Sequence, residues 1–577
     1  MDAVMHLTRD PVPTTLAGSD TAASIAGDPI PKSTVIWDQD KVQSNLYTLA
    51  TTPIVYSQLC FELESYPFEH DKQELLKGFE RGFSLHYSGP RKFRESKNLK
   101  SARENPHIVE AKLSKEVALG RVAGPFTNIP FPTLRVSPVG LVPKKDGDFR
   151  LIHHLSYPSN DSVNSHTDPD ICTVQYANID QAVLMIQNLG QNALLAKTDL
   201  KSAFRLLPIN PADFDLLGIK CNNRYYFDKS LPFGSKLSCA LFNRFSTFLH
   251  WLVCKKSQNS NIIHYLDDFL FGGRAGEITC NNTLSIFHTV CAHLGIPIAV
   301  DKTVEPTTCL TFLGIELDTV AMQMRLPQDK LTELRDRLQA VLQAKKLTLQ
   351  EMQSLIGLLN FVCQVVSPGR AFIRRLIDAT LGIKKPRHKL RLTSSIKLDL
   401  EMWLEFLSHY NGVTLFQEKS WVTNDTLQFF TDSSGGPSGG FGIFFQNRWA
   451  FGRWPQHWAE MGRLRDMTFL ELFPIATALS VWGQWLVNKK ILFHVDNQAV
   501  VQIINKKSSK SPEVMVLVRK LVLDMLHFNI NLRAQYINTK ANAIADSISR
   551  CQWNRFRVLA PHAEPVPYPL PRSIWQI

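Results

Sequence analysis

Three aspartates stand at the ends of apolar stretches, where neighbouring strands would bring them together. Asp199 closes the short apolar run of "ALLAKTDLKSAFRLLPI" (193–209). Asp267 and Asp268 lie between two apolar runs in "IIHYLDDFLFGG" (262–273), as expected at the tip of a β-hairpin. Carboxylates held close together repel one another and are tolerated when divalent cations neutralise them. Two Mg²⁺ ions about 3.5–4 Å apart can activate an attacking hydroxyl and stabilise a leaving pyrophosphate.

Each of these aspartates also has an ordinary structural explanation. An aspartate often closes a strand, and two successive aspartates often form a turn. The apolar flanks of Asp267 and Asp268 disfavour a plain surface turn, which more often uses Asn-Gly or Asp-Gly. The pattern therefore favours a metal site.

A second series of acids follows near the end of the chain. They occur on a predicted strand, helix, strand and helix, in the order Asp432, Glu471, Asp496 and Asp546. Alone, each fits a strand-end turn, a helix-face acid or a helix cap. Together, four carboxylates can hold two metal ions that activate water to cut a phosphodiester.

The first cluster resembles the active site of reverse transcriptases. Residues 265–268, Tyr-Leu-Asp-Asp, match their YxDD motif, and "KTDLKSAF" (197–204) matches the strand that carries the first catalytic aspartate. The intervening "LPFGSKLSCALF" (231–242) resembles the segment that supports the template and the incoming nucleotide. The resemblance implies a polymerase with two Mg²⁺ ions, or Mn²⁺, on Asp199, Asp267 and Asp268.

The same resemblance implies a nucleotide-binding set. "LVPKKDGDFRLI" (141–152) resembles the fingers strands whose Lys and Arg hold the triphosphate, with Lys145 as a neighbour. Phe204, five residues after Asp199, falls at the aromatic steric-gate position. Without the motif, Phe204 would be interpreted as a core residue. The implied residues are Lys144, Arg150, Phe204 and Tyr265.

Three other positions follow from the resemblance. Lys302 falls near the lysine that some polymerases use to protonate pyrophosphate. "LTFLGIEL" (310–317) resembles the hairpin that grips the primer terminus. Cys239 stands where many relatives have proline, a departure that concerns the local backbone rather than the chemistry.

The second series resembles the RNase H arrangement, and "N-x-x-A-D" at 542–546 matches it closely. This implies an endonuclease that cuts the RNA strand of an RNA–DNA hybrid. Retroviral relatives carry a histidine ten residues before the last aspartate, where this chain has Tyr536. One alternative is therefore an enzyme in which only one of the two sites is active. Another is a domesticated or inactivated copy that binds nucleic acid without catalysis. All seven carboxylates are present, which favours an active enzyme.

Most of the chain resembles the reverse transcriptase and RNase H of DIRS-like retrotransposons. The resemblance rests on "LPFGSKLSCALF", "RLIHHLSYP" (150–158) and "RFRVLAPHAEPVPYPLPRSIW" (555–575). Gypsy-like elements and plant pararetroviruses are the alternatives within the same class. The sequence has no aspartic-protease motif, zinc knuckle or recombinase constellation, so a separate tyrosine recombinase is expected as a partner.

The charge distribution is consistent with nucleic-acid partners. The chain has 64 basic and 52 acidic residues, and residues 325–397 hold 15 Lys and Arg against 5 Asp and Glu. Solvated helix faces would explain single lysines, but a whole basic stretch favours a surface that follows phosphates. "KKPRHKLR" (384–391) fits either a nuclear import signal or duplex contact. The expected partners are an RNA template, a DNA primer, their hybrid and dNTPs.

Composition places the chain among soluble proteins inside the cell, in the cytoplasm, the nucleus or both. No run reaches the roughly 18 apolar residues of a membrane span, and the start of the chain lacks a signal peptide. Ten cysteines show neither CxxC pairs nor zinc-ligand spacing, so neither a zinc site nor a disulfide framework is expected.

The expected fold class is α+β and α/β multidomain, a right-hand polymerase with palm, fingers and thumb followed by an RNase H-like domain. At 577 residues the chain is long enough for several domains. The expected divisions are a flexible leader (1–35), a helical N-terminal extension (36–110), fingers and palm (111–325), a basic helical thumb or connection (326–411), a linker (412–426), an RNase H-like domain (427–550) and a Pro-rich tail (551–577).

Overall fold

A computed structural model gives the fold of the chain. It describes residues 46–144, 147–410, 413–416, 420–436 and 438–575. The described residues form two compact units that divide between Leu310 and Thr311. Both units combine helices with several sheets, which confirms the predicted α+β and α/β multidomain fold class.

The first unit begins with helices. Charge placement explains one of them: α2 has Glu69 and Asp71 in its first turn and Arg81 in its last, which complements the helix dipole. The helices are α1 (Tyr56–Leu63), α2 (Glu69–Arg81), α3 (Lys100–Glu104) and α4 (Pro106–Ala118).

A five-stranded sheet and a separate hairpin follow. The sheet has the order β1-β3-β7-β8-β2, where the strands are β1 (Arg94–Glu95), β2 (Val122–Phe126), β3 (Arg135–Val136), β7 (Gly218–Cys221) and β8 (Arg224–Asp228). The hairpin pairs β4 (Val139–Pro143) with β5 (Phe149–His153). Gly147 in its turn has a φ of 81°, a value that favours glycine. Lys145 and Asp146 lie outside the described residues.

The sheet that carries the first three aspartates has the order β11-β6-β10-β9. Its strands are β6 (Leu194–Asp199), β9 (Ile262–Tyr265), β10 (Asp268–Gly273) and β11 (Val304–Thr307). Phe269 and Phe271 on β10 are fully buried against Phe287 of a neighbouring helix, so the sheet rests on an aromatic core. The helices of this region are α5 (Ile179–Leu189), α6 (Ser238–Ser257) and α7 (Thr279–Leu294).

The second unit starts with a sheet and a helical segment. The strands, in the order β12-β13-β14-β17, are β12 (Cys309–Phe312), β13 (Ile315–Asp318), β14 (Gln323–Arg325) and β17 (Val413–Leu415). The helices are α8 (Gln328–Gln343), α9 (Leu349–Val362), α10 (Arg374–Asp378) and α11 (Ser394–Tyr410). A two-stranded ladder, β15 (Lys346–Thr348) with β16 (Lys389–Arg391), lies among them.

Two three-stranded sheets form the rest of the second unit. One is parallel, with β22 between the two others: β18 (Trp421–Thr423), β22 (Lys490–Val495) and β23 (Asn531–Tyr536). The other is antiparallel: β19 (Phe429–Ser433), β20 (Gly440–Phe445) and β21 (Arg448–Arg453). The helices are α12 (Asn424–Leu427), α13 (Gln456–Glu460), α14 (Met467–Trp482), α15 (Gln498–Lys506), α16 (Pro512–His527), α17 (Ala543–Ser549) and α18 (Trp553–Leu559).

Two segments differ from their expected description. The expected linker, 412–426, contains β17 and β18, because three-residue strands can pair with longer ones without showing any periodicity of their own. The Pro-rich tail, 551–577, contains α18 and packs on the second unit. Its Trp575 ring stacks on Phe473, with 5.6 Å between centroids.

A buried ion pair joins two parts of the second unit. Asp399 on α11 is fully buried. Both of its carboxylate oxygens accept hydrogen bonds from Arg375 at 2.8 Å, and Arg519 on α16 lies 3.4 Å away. Arg375 and Asp399 precede the 412–426 segment and Arg519 follows it. This ion pair therefore connects the part of the second unit before that segment with the part after it.

In the part of the chain that the structure describes, no helix combines the length and the apolar character needed to cross a membrane.

Candidate active sites

The register of two strands brings the first aspartates together. Asp268 on β10 is the direct partner of Asp199 on β6, because β10 pairs antiparallel with β6 along its whole length. Leu266 and Asp267 form the two-residue turn between β9 and β10, and Leu266 has a φ of 54°. The Leu200 amide donates to the Asp267 carbonyl at 3.0 Å, which fixes the turn beside the end of β6.

Burial and mutual repulsion perturb this cluster. Burial, followed by the charge of Asp199, raises the pKa of Asp267 to about 6. The same two causes, in the same order, raise the pKa of Asp268. Two carboxylates that resist ionisation, held beside a third, are a suitable donor set for hard divalent cations.

A basic side chain donates a hydrogen bond to the first of the three aspartates. The Lys302 ammonium donates to Asp199 Oδ2 at 2.8 Å, and the hydrogen bond raises the pKa of Lys302. The backbone holds the lysine in place, because the Ala299 amide donates to the Asp199 carbonyl at 2.8 Å. The structure thus places this predicted lysine directly at the first aspartate.

Two of the predicted nucleotide-binding residues, Phe204 and Arg150, lie against the same aromatic ring. Phe204 packs against Phe233 at 5.2 Å and against Phe242 at 5.5 Å between ring centroids. The guanidinium of Arg150 lies 5.5 Å from the centroid of the Phe233 ring, so Phe233 contacts both predicted residues. Lys144 lies at the end of the β4–β5 hairpin, where its ammonium is 3.1 Å from the Asp148 carboxylate.

Tyr265 has an aromatic neighbour that the sequence did not identify. The Tyr176 ring lies 5.0 Å from the Tyr265 ring, and burial raises the pKa of Tyr265. Tyr176 comes from a segment without regular structure, so no periodicity could have linked it to the motif.

The second cluster is the more tightly assembled. Among the described residues, one group of three potential metal ligands has its ligand atoms all within 4.8 Å of one another: Asp432, Glu471 and Asp496. They come from β19, from α14 and from the residue after β22. Sheet and helix ends therefore bring together side chains that are far apart in sequence.

Proton binding at this cluster is strongly favoured. Burial raises the pKa of Asp432 to about 7, against an opposing hydrogen bond from Ser549, and the charges of Asp496 and Asp546 raise it further. Burial, with the charges of Asp432 and Asp496, raises the pKa of Glu471 to about 9. A divalent cation would relieve the same repulsion, so the donor set fits one.

Close packing of α17 on the sheet positions the neighbouring groups. A side chain at Gly442 would come within 2.7 Å of the Ala545 carbonyl, so only glycine lets the helix approach β20 so closely. At this distance the Ser549 hydroxyl donates to Asp432 at 2.5 Å. The Asn542 side chain donates to the Thr431 carbonyl at 2.8 Å. The sequence pattern predicted Asn542 as part of a motif but gave no role to Ser549.

The fourth predicted acid is engaged elsewhere. Asp546 accepts hydrogen bonds from Arg550 at 2.6 Å and from Arg555 at 2.7 Å, and it does not belong to the group of three. Burial opposes its ionisation, but the two arginines lower its pKa. Tyr536, at the position of the retroviral histidine, is 47% exposed at the end of β23.

Comparison with known families agrees with the first cluster. Residues 142–317, which include Asp199, Asp267 and Asp268, match the sequence model of the family described as "Reverse transcriptase (RNA-dependent DNA polymerase)". This part of the chain is therefore similar to a reverse transcriptase domain.

Several viral proteins are similar to parts of this chain. Protein P of duck hepatitis B virus (strain China) is 33% identical over 168 residues, which is 28% of this chain and 20% of that protein. Protein P of heron hepatitis B virus is 30% identical over 185 residues, 31% of this chain and 23% of that protein. The Gag-Pro-Pol polyprotein of Human T-cell leukemia virus 3 is 23% identical over 405 residues, 66% of this chain and 25% of the polyprotein. The chain thus spans a fifth to a quarter of the length of these relatives.

Two solved structures of the foamy viral protease-reverse transcriptase align with most of the chain. One contains double-stranded DNA and aligns with 88% of this chain and 84% of that chain, at a TM-score of 0.45 and 16% identity. The other contains an RNA/DNA hybrid and aligns with 88% of this chain and 64% of that chain, at a TM-score of 0.44 and 15% identity.

Proposed function

We propose that the chain is an RNA-directed DNA polymerase that copies retrotransposon RNA into DNA. The observation that carries the proposal is the register of β6 and β10, which sets Asp268 opposite Asp199 with Asp267 in the adjoining turn. These residues lie inside the segment that matches the reverse transcriptase family.

In this proposal, Asp199, Asp267 and Asp268 hold two Mg²⁺ ions, which Mn²⁺ can replace. The ions supply activation of the primer 3′-hydroxyl and neutralisation of the leaving pyrophosphate. Lys302 is placed by its bond to Asp199 to supply positive charge, and a proton, on the pyrophosphate side.

The nucleotide is held by the groups around Phe233. Arg150 and Lys144 present positive charge to the triphosphate. In this proposal Phe204, whose ring packs against Phe233 and Phe242, excludes a 2′-hydroxyl and so selects deoxynucleotides. RNA template and DNA primer are the proposed macromolecular substrates.

We further propose that the second unit is an RNase H that removes the RNA strand of the RNA–DNA hybrid. The support is the group formed by Asp432, Glu471 and Asp496, whose ligand atoms lie within 4.8 Å of one another. Mg²⁺ bound there would supply an activated water for phosphodiester cleavage. Asp546 is the proposed fourth ligand, and it must exchange its arginine partners to serve.

The finer family assignment is also a proposal. Sequence motifs in the palm and in the C-terminal segment resemble DIRS-like retrotransposons, which use a tyrosine recombinase supplied by another polypeptide. Intracellular location, in the cytoplasm, the nucleus or both, is proposed from the cysteines, which show neither a disulfide framework nor zinc-ligand spacing.

Primer extension and hybrid cleavage by the full chain test both activities. Asp267→Asn should abolish extension of a DNA primer on an RNA template while RNA cleavage in a preformed hybrid continues. Asp496→Asn should abolish cleavage while extension continues. Asp301→Asn and Glu460→Gln remove exposed acids from the same two units and serve as controls. Wild-type extension by Asp267→Asn in Mg²⁺ would refute the first assignment, and wild-type cleavage by Asp496→Asn would refute the second.

A further inference from the structure

Two arginines share one carboxylate beside the second cluster. Arg550 Nε lies 2.6 Å from Asp546 Oδ1, and Arg555 Nη1 lies 2.7 Å from Asp546 Oδ2. Arg555 is further held by Gln552, whose side-chain oxygen accepts from the same nitrogen at 2.8 Å. The Asp546 side chain is only 13% exposed, whereas the arginine side chains are 53% and 47% exposed. Both guanidinium groups thus reach from solvent to one buried acid.

An ordinary i,i+4 ion pair on a helix surface would explain Arg550 alone, and such pairs contribute little to stability. Three features go beyond that explanation. Both oxygens of Asp546 are occupied, the second arginine comes from the next helix, and the shared acid is the one that matches the fourth ligand of the cluster. Burial is the largest influence on the pKa of Asp432 and Glu471 and raises both, and the Arg550 charge opposes it.

The two arginines have the chemistry of a phosphate site. A guanidinium binds carboxylate and phosphate oxygens with the same fork of N–H donors. A divalent cation on Asp546 repels the two guanidinium groups that share this carboxylate. We therefore expect at least one guanidinium to leave Asp546 when it coordinates a cation, while it remains beside the cluster and open to solvent.

We propose that Arg550 and Arg555 bind a backbone phosphate of the RNA strand, in exchange for Asp546, when that carboxylate becomes a metal ligand. The inference rests on the proposed RNase H function and adds its substrate-binding residues. Before the exchange, the arginines neutralise Asp546 and compete with the cation for it. After the exchange, they hold the strand against the carboxylates that activate water.

The proposed exchange predicts that Arg550→Gln strengthens cation binding and weakens binding of the RNA–DNA hybrid. Arg550→Gln removes a competitor and a like charge, so cations should bind more tightly, by about fivefold for one charge at partly exposed range. The same substitution removes a phosphate partner, so the hybrid should bind more weakly. A merely structural ion pair would weaken both or change neither.

Cation binding is measured first, by Mn²⁺ titration of the full chain in an electron paramagnetic resonance spectrometer without nucleic acid. Asp267→Asn and Asp268→Asn are included in every protein to remove the contribution of the first cluster. Arg550→Gln should lower the Kd for Mn²⁺, and Arg550→Lys should change it little. Arg374→Gln neutralises another helical i,i+4 pair, with Asp378 at 3.0 Å, and should leave the Kd unchanged.

Hybrid binding is measured next, by fluorescence anisotropy in Ca²⁺, with duplexes that carry one neutral methylphosphonate in the RNA strand. For the protein with native arginines, one position should cost about tenfold in affinity. For Arg550→Gln the penalty at that position should be smaller, and for the double variant Arg550→Gln/Arg555→Gln it should disappear, because both proposed partners of the phosphate are then lost. An unchanged Kd for Mn²⁺ together with an unchanged methylphosphonate penalty would overturn the proposal. Absence of any Mn²⁺ binding in the parent protein would refute the RNase H function itself.

Discussion

Lys302 Nζ lies 2.8 Å from Oδ2 of Asp199, on the strand that starts the first carboxylate cluster. The lysine is 58% exposed, whereas the Asp199 side chain is 14% exposed. The Lys302 ammonium group therefore lies on the solvent side of the Asp199 carboxylate. Its contact with Asp199 distinguishes it from Lys144 and Arg150, which are the proposed triphosphate-binding residues.

Replacement of Lys302 by alanine should lower the rate of nucleotide incorporation. General-acid groups contribute about a hundredfold or more, so we expect kcat to fall by about that factor. Because Lys302 is proposed to act on the leaving pyrophosphate rather than to bind the incoming nucleotide, the KM for dNTP should stay within about threefold. Single-turnover primer extension measures both quantities, and Lys302→Arg, which keeps the charge, should retain part of the rate. A normal kcat in Lys302→Ala would exclude this role.

Phe204→Val should relax the choice between deoxynucleotides and ribonucleotides. The ring is fixed by Phe233 and Phe242, so truncation opens space that the neighbours cannot fill. We expect the ratio of kcat/KM for dNTP over rNTP to fall by about 10–200-fold, as for other changes of pocket size. Phe204→Tyr keeps the ring and should keep the ratio; equal ratios for the valine and wild-type enzymes would contradict the steric gate.

Ser549→Ala should weaken metal binding at the second cluster. The hydroxyl is the donor to Asp432 at 2.5 Å, and its loss leaves a buried carboxylate without that partner. A hydrogen bond to a charged group contributes about 1.5–3 kcal/mol, so the Mg²⁺ concentration for half-maximal hybrid cleavage should rise about tenfold or more. Ser547→Ala is the matched control, because that buried hydroxyl donates to the Ile544 carbonyl instead. A rise of equal size in both variants would argue against the Asp432 contact.

Stability should fall with rising pH when divalent cations are chelated. The pKa of Glu471 is raised to about 9 and that of Asp432 to about 7, so the folded chain keeps protons that the unfolded chain has released. Stability present below about pH 4 is therefore lost as the pH rises through these two values. Differential scanning fluorimetry in EDTA should show the apparent Tm decreasing between pH 5 and pH 9. Glu471→Gln should flatten this decrease, whereas Glu460→Gln, an exposed acid, should follow the wild type.

The aspartates of the first cluster could be predicted from short stretches of sequence, because each aspartate lies at the end of a strand or in the turn that follows it. An apolar run that stops at Asp199, and a hairpin signal around Asp267 and Asp268, are properties of a few consecutive residues. The strand pairing then follows from the register of β6 and β10. Lys302 was also predicted, from its motif, but its contact with Asp199 depends on the path of the chain before β11.

Contacts between distant elements could not be predicted in the same way. Ser549 reaches Asp432 across 117 residues of sequence, and only because Gly442 lets α17 approach the sheet. The pairing of Arg550 and Arg555 with Asp546 requires the angle between α17 and α18, which no residue pattern specifies. Short strands such as β18 escape prediction for a different reason, since three residues show no periodicity.

The buried Asp399 bears on how the second unit comes apart. Its partners Arg375 and Arg519 belong to helices on either side of the expected linker. Removal of one partner of a buried ion pair costs about 3–5 kcal/mol. Unfolding of the side that holds Asp399 and Arg375 would leave Arg519 without this carboxylate, and unfolding of the Arg519 side would leave Asp399 with one arginine instead of two. Calorimetry should therefore record one endotherm for the helical segment and the carboxylate cluster together, and a protease should release no stable RNase H fragment by cutting in the 412–426 segment.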